Sequence, residues 1–257
     1  RFTYFYPKNL QLLTSGEGIL YTSRKKKILG RIQILTFLLA ELFAVTKTLM
    51  TEEFDVIHAN WILPQGLVAI IAKFIFKKPV IVTVHGTDIF ALNKFNFLKY
   101  LVLKYCNVCT TNSSSTLEAA FKINPNANLK VVHMGTDIKS FDPKKKDLEW
   151  RNKFGEDSKI ILGIGRLIKW KGFEYLIRAF PFVLRKFPEA KLLIIGKGPE
   201  EDNLKKIAQK LNIKIDENIY FQEHFSSEKL PSVYASSDLV VSPAITIVET
   251  GEKEGQG

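Results

Sequence analysis

The sequence predicts an α/β protein built from two doubly wound domains that face a cleft. Two observations lead to this fold class: short apolar strands alternate with helical stretches from Asp55 onward, and the same alternation resumes after a polar interruption. Such alternation is typical of parallel sheets covered by helices on both faces. With 257 residues, of which 46% are apolar, the chain is long enough for two modest cores.

The first half of the chain predicts one parallel sheet. β-Branched and apolar runs predict strands, and apolar residues at helical spacing predict a helix between the first two of them. The predicted elements are a strand at 55–58, a helix at 64–76 and strands at 79–84, 108–111 and 130–133. Ligands of open parallel sheets bind at the carboxyl ends of the strands, so the loops after these strands are candidate sites.

A change in composition marks the predicted domain boundary. Residues 138–158 combine an Asp-Pro pair, three successive lysines and scattered acids, with little apolar periodicity. We therefore assign residues 1–143 to an N-terminal domain and residues 144–257 to a C-terminal domain. The second domain is predicted to contain strands at 160–164, 191–195, 218–222 and 239–242, helices at 172–187 and 200–211, and a short helix before the last strand.

The most apolar stretch, residues 28–50, does not fit a membrane span. It is interrupted by Arg31, Gln33, Glu41 and Lys47, and no run of eighteen apolar residues occurs in the chain. A spanning helix needs about 20 predominantly apolar residues. The sequence therefore predicts that this segment does not cross a membrane.

Cysteine usage and the chain ends bear on the compartment. Cys106 and Cys109 form no disulfide framework, and since no second pair or matching histidines accompany them, we interpret both as core residues. No secretory signal pattern opens the chain. We therefore expect a cytoplasmic protein. The chain opens on Arg1 and stops in a loop at Gly257, so we expect truncation at both ends.

The charge of the chain is unevenly distributed. The net charge is +11, with 17 basic and 8 acidic residues up to Ser140 and 20 basic and 18 acidic residues after it. This asymmetry favours an anionic partner of the first half, either phospholipid headgroups or nucleic acid. A solvated lysine-rich surface is the alternative.

The first strand of the second domain leads into a candidate anion site. It ends in Gly163 and Gly165, followed by Arg166 and, at the start of a helix, by Lys171. A helix N-terminus favours phosphate, and the guanidinium supplies a forked donor while the lysine supplies a point charge. The alternative is that both cations are ordinary surface charges at a helix start.

The strand at 79–84 runs into His85, Gly86, Thr87 and Asp88. An imidazole and a carboxylate therefore follow a buried strand where open α/β sheets bind ligands. The histidine could hydrogen-bond a substrate hydroxyl, and the glycine would let backbone approach it. The alternative is that Asp88 caps the next helix and His85 bonds only the backbone.

Several motif classes are absent from the sequence. There is no P-loop and no complete dinucleotide fingerprint, which argues against ATP hydrolysis and NAD chemistry. There is also no serine nucleophile elbow, zinc-protease motif or acidic calcium loop. His58, beside Asn60, could line the same sheet edge as His85, but we interpret it as structural, together with His133 and His224.

Six short segments carry a further signal when they are taken together. They are His58-Ala-Asn-Trp-Ile-Leu-Pro-Gln-Gly66, Thr83-Val-His-Gly-Thr-Asp88, His133-Met-Gly-Thr-Asp137, Gly165-Arg-Leu-Ile-Lys-Trp-Lys-Gly172, Gly196-Lys-Gly-Pro199 and Glu254-Gly-Gln-Gly257. In this order and spacing they resemble glycosyltransferase family 4, also called group 1. The resemblance implies a GT-B fold of two Rossmann-like domains with the active site between them. It also implies that sugar is transferred with retention of configuration, without a metal or other cofactor.

The resemblance also assigns roles to individual residues. Arg166 and Lys171, beside Gly165, would hold the diphosphate of a nucleotide-sugar donor and stabilise its charge as it leaves. His85 would hydrogen-bond the transferred sugar near the reaction centre, with Gly86 giving backbone access. These assignments make the C-terminal domain the donor domain and the N-terminal domain the acceptor side.

Glu254 matches the first glutamate of the family's E-x7-E motif, which contacts hydroxyls of the donor sugar. The second glutamate, which holds the ribose in the family, would fall at position 262, past Gly257. The family's first strand with its glycine-rich loop is also missing. We therefore expect this chain by itself to transfer sugar weakly or not at all.

The acceptor is predicted from charge as well as from the resemblance. The family glycosylates lipid-linked sugars, phosphoinositols, small sugars and secondary metabolites. The basic run at 24–27 and the apolar stretch after it favour an interfacial helix at an anionic membrane, and hence a lipid-linked or polysaccharide-precursor acceptor. We expect a peripheral protein of the inner face of the plasma membrane.

Other functions stay open at this point. One is a non-catalytic homologue that binds nucleotide sugars, and another is a GT-B enzyme of a different kind, such as a sugar-nucleotide epimerase or a phosphorylase. The pairing of G-R-x4-K-G with H-G-x-D favours transfer, by a hexosyltransferase. We expect no nucleic-acid partner, because no recognised nucleic-acid-binding motif is present.

Overall fold

The computed structural model describes residues 27–91 and 93–247. The chain divides into two compact units between His133 and Met134. This division lies upstream of the boundary predicted at residue 143, because the segment after it packs on the second unit. The ring of Phe141 contacts that of Tyr234 edge-on, with the centroids 5.6 Å apart.

The first unit contains a parallel sheet in the order β1-β2-β3-β4. Its strands are β1 (Ile57–Asn60), β2 (Val80–Val84), β3 (Val108–Thr111) and β4 (Leu129–Val131). Its helices are α1 (Lys27–Thr51), α2 (Leu67–Phe76), the short α3 (Thr87–Phe90), α4 (Asn96–Tyr105) and α5 (Ser114–Ile123). A kinked π-helical turn, Ile62–Gly66, precedes α2 and shortens the helix predicted at 64–76. The five predicted elements are confirmed, with ends that shift by up to three residues.

The described core of the first unit lies on one face of its sheet. The three valines of β2 are fully buried there, against apolar side chains of α2, α4 and α5. The opposite face carries a polar ladder. His58 Nε2 lies 2.7 Å from Thr83 Oγ1, which lies 2.7 Å from Thr110 Oγ1. The sheet thus separates an apolar side from a side that presents hydrogen-bonding groups.

Part of α1, Ile32–Thr51, is long and apolar enough to cross a membrane by length and composition alone. The charges on which the sequence prediction relied do not exclude a span by that test, because this segment begins after Arg31 and contains only the charged residues Glu41 and Lys47. The core helix of a soluble protein passes the same test. Gln33 and Phe37 are buried within the described structure, so one side of α1 packs on protein.

The other side of α1 presents an apolar stripe to solvent. Ile32, Leu35, Leu39, Phe43 and Met50 recur at intervals that place them on one helix face, and they are 49 to 73% exposed. We call these five side chains the α1 stripe. At 1.5 Å per residue it extends about 27 Å along the helix. An apolar patch of this extent is typical of an interaction surface.

The second unit contains a parallel sheet in the order β7-β6-β5-β8. Its strands are β5 (Ile160–Ile164), β6 (Lys191–Ile195), β7 (Ile219–Gln222) and β8 (Leu239–Val240). Its helices are α6 (Leu148–Asn152), α7 (Phe173–Lys186), α8 (Glu201–Lys210) and α9 (Leu230–Ser236). The predicted strands and helices of this half are confirmed, with α6 as an element that the sequence did not predict.

Both faces of this second sheet are buried. Successive residues of β5 and β6 enter two different apolar clusters: Ile161, Leu192 and Ile194 lie in one, and Ile160, Leu162, Leu193 and Ile195 in the other. This is the period-two alternation of a strand covered on each side. The doubly wound arrangement predicted from the sequence is therefore confirmed in this unit.

Arg151 of α6 joins the beginning of the second unit to its end. Its guanidinium donates to Ser236 O at 2.6 Å and to Ser158 O at 2.8 Å, and it pairs with the Asp238 carboxylate at 2.8 Å. Asp238 in turn accepts a hydrogen bond from Ile160 N at 2.8 Å. We call this set the Arg151 staple. It fixes the entry to β5 against the entry to β8.

Glu41 lies on the half-buried side of α1, next to Gln65. Burial raises the pKa of Glu41 to about 7, although a hydrogen bond from Gln65 favours the ionised form. Within the described residues, Glu41 Oε2 and Gln65 Oε1 are buried and have no hydrogen-bond partner. The folded protein therefore favours the protonated acid.

We expect Glu41→Gln to stabilise the protein in a pH-dependent way. The folded pKa of about 7 lies above the ordinary value of 4.5, so the folded state holds an extra proton between these values and loses stability as the pH rises through 7. E41Q should melt within about a degree of wild type near pH 5 and a few degrees higher near pH 8. Thermal unfolding followed by circular dichroism measures this, with the exposed Glu52→Gln as control. An equal difference at both pH values would contradict it.

Candidate functional site

The strand order of the second unit creates a switch point at β5. The chain proceeds from β5 to β6 and β7 on one side, and β8 then pairs with the other side of β5. Ligands of open α/β sheets bind outside the carboxyl ends of the strands at such a point. The loop in this position is residues 165–172, which we call the G-R loop.

The G-R loop brings two of the predicted residues together. Gly165 N donates to Ile195 O at 2.9 Å, and the aliphatic chain of Lys171 lies 3.6 Å from the position of a Cβ on Gly165. Arg166 is exposed in the same loop, and α7 begins directly after Gly172 without a side-chain cap. Cations beside an uncapped helix N-terminus are suited to an anionic group.

A second glycine-bearing loop supports the G-R loop, and sequence reasoning gave it no role. A Cβ on Gly196 would lie 1.8 Å from Gly165 O, and one on Gly198 would lie 2.3 Å from Leu167 O. Leu167 N also donates to Lys197 O at 3.1 Å. The sequence does contain a signal for this loop, a G-x-G directly after β6, the strand that neighbours β5. The two glycines allow the backbone of this loop to contact the backbone of the G-R loop.

The chain after β8 packs against the end of the G-R loop. A Cβ on Gly172 would lie 2.0 Å from Pro243 O, and Ile245 N donates to Trp170 O at 2.9 Å. Glu254, predicted to contact the donor sugar, lies outside the described residues. Its role stays a prediction.

A pocket of about 250 Å³ lies between the first turns of α7 and α8. Its lining includes Lys169, Tyr175, Glu200, Asn203 and Ile247. Neither of the predicted donor cations lines it, so the pocket adjoins the G-R loop without containing the residues on which the sequence prediction rests.

The predicted histidine of the first unit lies at the carboxyl end of β2. His85 is half-buried, and its Nε2 lies 2.9 Å from Asn60 Oδ1 at the end of β1. Gly86 follows with φ +108° and precedes the first residue of α3. The structure thus places imidazole, amide and a glycine backbone at one sheet edge. Asn60 is a partner of His85 that the sequence did not reveal.

Asp88 does not cap the following helix, and that alternative prediction is wrong. The helix begins after Gly86, and Asp88 lies within its first turn, only 3% exposed. Its Oδ1 accepts from His85 N at 3.0 Å and its Oδ2 accepts from Ile62 N at 2.8 Å. Satisfying two main-chain amides of two different loops, the carboxylate holds the loop after β1 against the loop after β2.

Lys99 of α4 is a fully buried cation near this carboxylate. Its Nζ donates to Ile89 O at 2.8 Å and to Ala91 O. Burial lowers the pKa of Lys99 to about 8, while the charge of Asp88 acts in the opposite direction. The lysine therefore fixes the end of α3, as the aspartate fixes its start.

The remaining histidine and cysteine candidates make contacts that are typical of structural residues. His133 Nδ1 lies 3.3 Å from Asn112 O, and His58 belongs to the polar ladder. Cys106 and Cys109 are buried thiols, and burial raises the pKa of Cys106 to about 11, which confirms their interpretation as core residues. Across 27–91 and 93–247, no three histidine, cysteine or acidic side chains converge as a metal site would require. That the protein works without a metal or other cofactor stays a prediction.

We expect Gly196→Ala to destabilise the second unit by about 3 kcal/mol, because its Cβ would overlap Gly165 O and Gly196 has φ +153°. Gly135→Ala is the matched control, since a Cβ there meets nothing within 4 Å, and it should change stability by about 0.5 kcal/mol or less. Urea unfolding of both variants measures the difference. Equal stability of the two would show that the two glycine loops are not packed as described.

Two family models match the chain in succession. Residues 4–140 match Glycosyltransferase Family 4, and residues 144–257 match Glycosyl transferases group 1. Together these matches cover nearly the whole sequence and meet near the predicted domain boundary.

Curated relatives agree with this family. An uncharacterized glycosyltransferase of Methanocaldococcus jannaschii is 30% identical over 213 residues, which cover 76% of this chain and 53% of that protein. A GDP-mannose-dependent α-(1-6)-phosphatidylinositol monomannoside mannosyltransferase of Mycolicibacterium smegmatis is 31% identical over 136 residues, covering 52% and 35%. The chain thus spans about half or less of the length of these relatives.

The fold is similar to that of a solved GT-B glycosyltransferase. HepE of Anabaena, crystallised with UDP and glucose, aligns with a TM-score of 0.65 at 22% identity, covering 77% of this chain and 54% of HepE. The α/β, GT-B fold class predicted from the sequence is therefore confirmed. Because a family 4 model covers more than half of the sequence and a group 1 model covers most of the rest, the chain belongs to glycosyltransferase family 4, group 1.

Proposed function

We propose that this chain carries the sugar-transfer machinery of a retaining hexosyltransferase, which moves a sugar from a nucleoside-diphosphate sugar to a lipid-linked or polysaccharide-precursor glycan. The observation that carries this proposal is the G-R loop. Arg166 and Lys171 stand at the carboxyl end of the switch-point strand, beside a helix start without a side-chain cap.

The chemistry follows from where charge develops. When the bond between the sugar and the diphosphate breaks, negative charge builds on the diphosphate oxygens. A guanidinium fork, an ammonium group and the amide groups of a helix N-terminus stabilise that charge more in the transition state than in the bound donor. In this proposal Arg166 and Lys171 supply the charged donors, Gly165 gives backbone access, and no metal is required.

The remaining predicted residues act on the sugar in this proposal. His85 hydrogen-bonds the transferred sugar, Gly86 allows close approach of the backbone, and Glu254 contacts sugar hydroxyls. The half-buried position of His85, with its backbone N held by Asp88, supports a fixed imidazole at this sheet edge.

The names of similar proteins support a nucleotide-sugar donor without fixing its base. The M. smegmatis relative is named for GDP-mannose, and HepE was crystallised with UDP and glucose. The donor base is therefore the first property to measure.

We further propose that the α1 stripe binds the anionic inner face of the plasma membrane from the cytoplasm, which would bring the protein to a lipid-linked acceptor. The stripe supplies exposed apolar side chains on one helix face, and the first half of the chain carries 17 basic against 8 acidic residues. Apolar insertion combined with attraction to anionic headgroups is the usual basis of interfacial binding. Peripheral binding also fits the packing of the opposite helix side on protein.

We expect one nucleoside diphosphate among UDP, GDP and ADP, or its sugar conjugate, to raise the melting temperature of the chain. Ligand at a hundred times its dissociation constant stabilises by about 2.7 kcal/mol, which a thermal-shift assay resolves. Arg166→Ala should abolish the shift, because it removes a charged diphosphate donor.

The matched control is Arg178→Ala, which removes an exposed arginine of α7 that pairs with Glu174. It should leave the shift unchanged.

No shift with any nucleotide in the wild type would overturn the proposed function. A shift that persists in Arg166→Ala would move the site away from the G-R loop, and binding without sugar transfer by a full-length homologue would favour a non-catalytic binding protein.

We expect the chain to co-sediment with vesicles that contain 30% anionic phospholipid at low salt. Placing charge in the stripe with Leu39→Glu and Phe43→Glu should reduce the bound fraction about tenfold or more, because both side chains are more than half exposed and would insert. Phe182→Glu, at an equally exposed phenylalanine of α7, is the control and should bind as wild type. Equal binding of all variants, or none by wild type, would contradict membrane docking by the stripe.

A further inference from the structure

We infer that Asn60 is a positioning residue for His85, fixing the orientation of its imidazole and the nitrogen that carries its proton. The observation is the contact of 2.9 Å between Asn60 Oδ1 and His85 Nε2. The inference deepens the proposed function, on which the role of His85 toward a sugar rests.

The contact joins the ends of two neighbouring strands. Asn60 is the last residue of β1 and pairs in register with Thr83, two residues before His85. The parallel ladder therefore fixes the distance between the two backbones. A side-chain bond between them follows from sheet register and does not depend on a mobile loop.

The backbone on each side of the pair is held as well. Trp61 N donates to Thr83 O at 2.9 Å, and Trp61 has φ +84°, which is strained for a bulky aromatic residue. His85 N donates to Asp88 Oδ1 at 3.0 Å. Strain of this kind persists only where the surroundings impose it, and it concentrates at functional sites. Asn60 and His85 are thus presented to each other by a rigid frame.

The amide oxygen determines the protonation pattern of the ring. A carbonyl oxygen only accepts, so the neutral imidazole must carry its proton on Nε2 and keep its lone pair on Nδ1. In that state Nδ1 is the ring atom that can accept a hydrogen bond from a sugar hydroxyl. Asn60 thereby makes His85 an oriented acceptor, in the way that partners of a ring nitrogen orient histidines generally.

Nearby polar groups do not share this role. In the neighbouring ladder, two contacts of 2.7 Å join the side chains of His58, Thr83 and Thr110 to one another and not to His85. The carboxylate of Asp88 bonds the main chain of His85 rather than its ring. Among the described residues, the His85 ring forms its side-chain hydrogen bond with Asn60.

The test follows the His85 ring by NMR in the 257-residue chain. The chain has four histidines, so His85→Gln identifies the signals. We expect wild type to show a single side-chain rotamer from three-bond couplings and a ring proton on Nε2 at low temperature. Asn60→Ala should average the rotamer and speed exchange of that proton. Asn60→Asp, which keeps an accepting oxygen, should restore both.

Thr83→Val is the matched control, because it should alter the His58 ring signals and leave those of His85 unchanged. The signals of the other histidines report whether each variant is folded, and the wild-type spectrum tests the inference even if a variant is not. A ring proton on Nδ1 in wild type, an averaged wild-type rotamer, or an equally ordered ring in Asn60→Ala would overturn it.

Binding separates this inference from the proposed function. Asn60→Ala should keep the affinity of wild type for the nucleoside diphosphate and lose about fivefold for the sugar conjugate, the effect of one misplaced hydrogen bond. If wild type binds the conjugate no more tightly than the nucleotide, the role of His85 toward sugar fails. The positioning of its ring by Asn60 would still stand or fall on the NMR result.

Discussion

Parallel strand pairing is the constraint on which the arrangement of the candidate residues depends. Because every described neighbour pair runs parallel, the loops after the strands of each sheet meet at one edge. In the first sheet, Asn60 is the last residue of β1 and His85 directly follows the adjacent strand β2. In the second sheet, the G-R loop contacts the loop that contains Gly196. Residues far apart in sequence become neighbours without any direct contact between helices.

Sequence patterns were sufficient for the framework of each unit. The β-branched run of β2 is buried at alternate residues, and the apolar run of β5 is buried almost continuously because both of its faces are covered, so the positions of both strands and of their carboxyl ends could be predicted. His85, Arg166 and Lys171 were accessible because they come directly after such strands. The irregular turn before α2 was not predicted, although its kink at Leu63 has a local cause, because the following Pro64 disfavours helical dihedral angles at the residue before it.

The supports of the site depended on tertiary contacts and could not be predicted. Asp88 has the sequence signature of a helix cap, but register brings Ile62 N within reach of its carboxylate. Lys99 lies in a helix whose other residues follow an ordinary amphipathic pattern, and only the fold shows that its ammonium group is enclosed by main-chain carbonyls. The sequence shows Gly196 and Gly198, but it does not show what lies next to them. A Cβ on these residues would lie 1.8 Å and 2.3 Å from backbone oxygens of the G-R loop, and this proximity arises from the pairing of neighbouring strands.

The Arg151 staple has a consequence for the order in which the chain acquires structure during synthesis. The first unit ends at His133, whereas the second cannot close until Ser236 and Asp238 have left the ribosome and met Arg151. Ribosomes add about 5 to 20 residues per second, so roughly 5 to 20 seconds of translation separate the two events. During that interval β5 lacks its neighbouring strand β8, and one face of β5 and β6 lacks the cover of α9, while the first sheet is already assembled. The nascent chain is therefore exposed to misfolding mainly in its second unit.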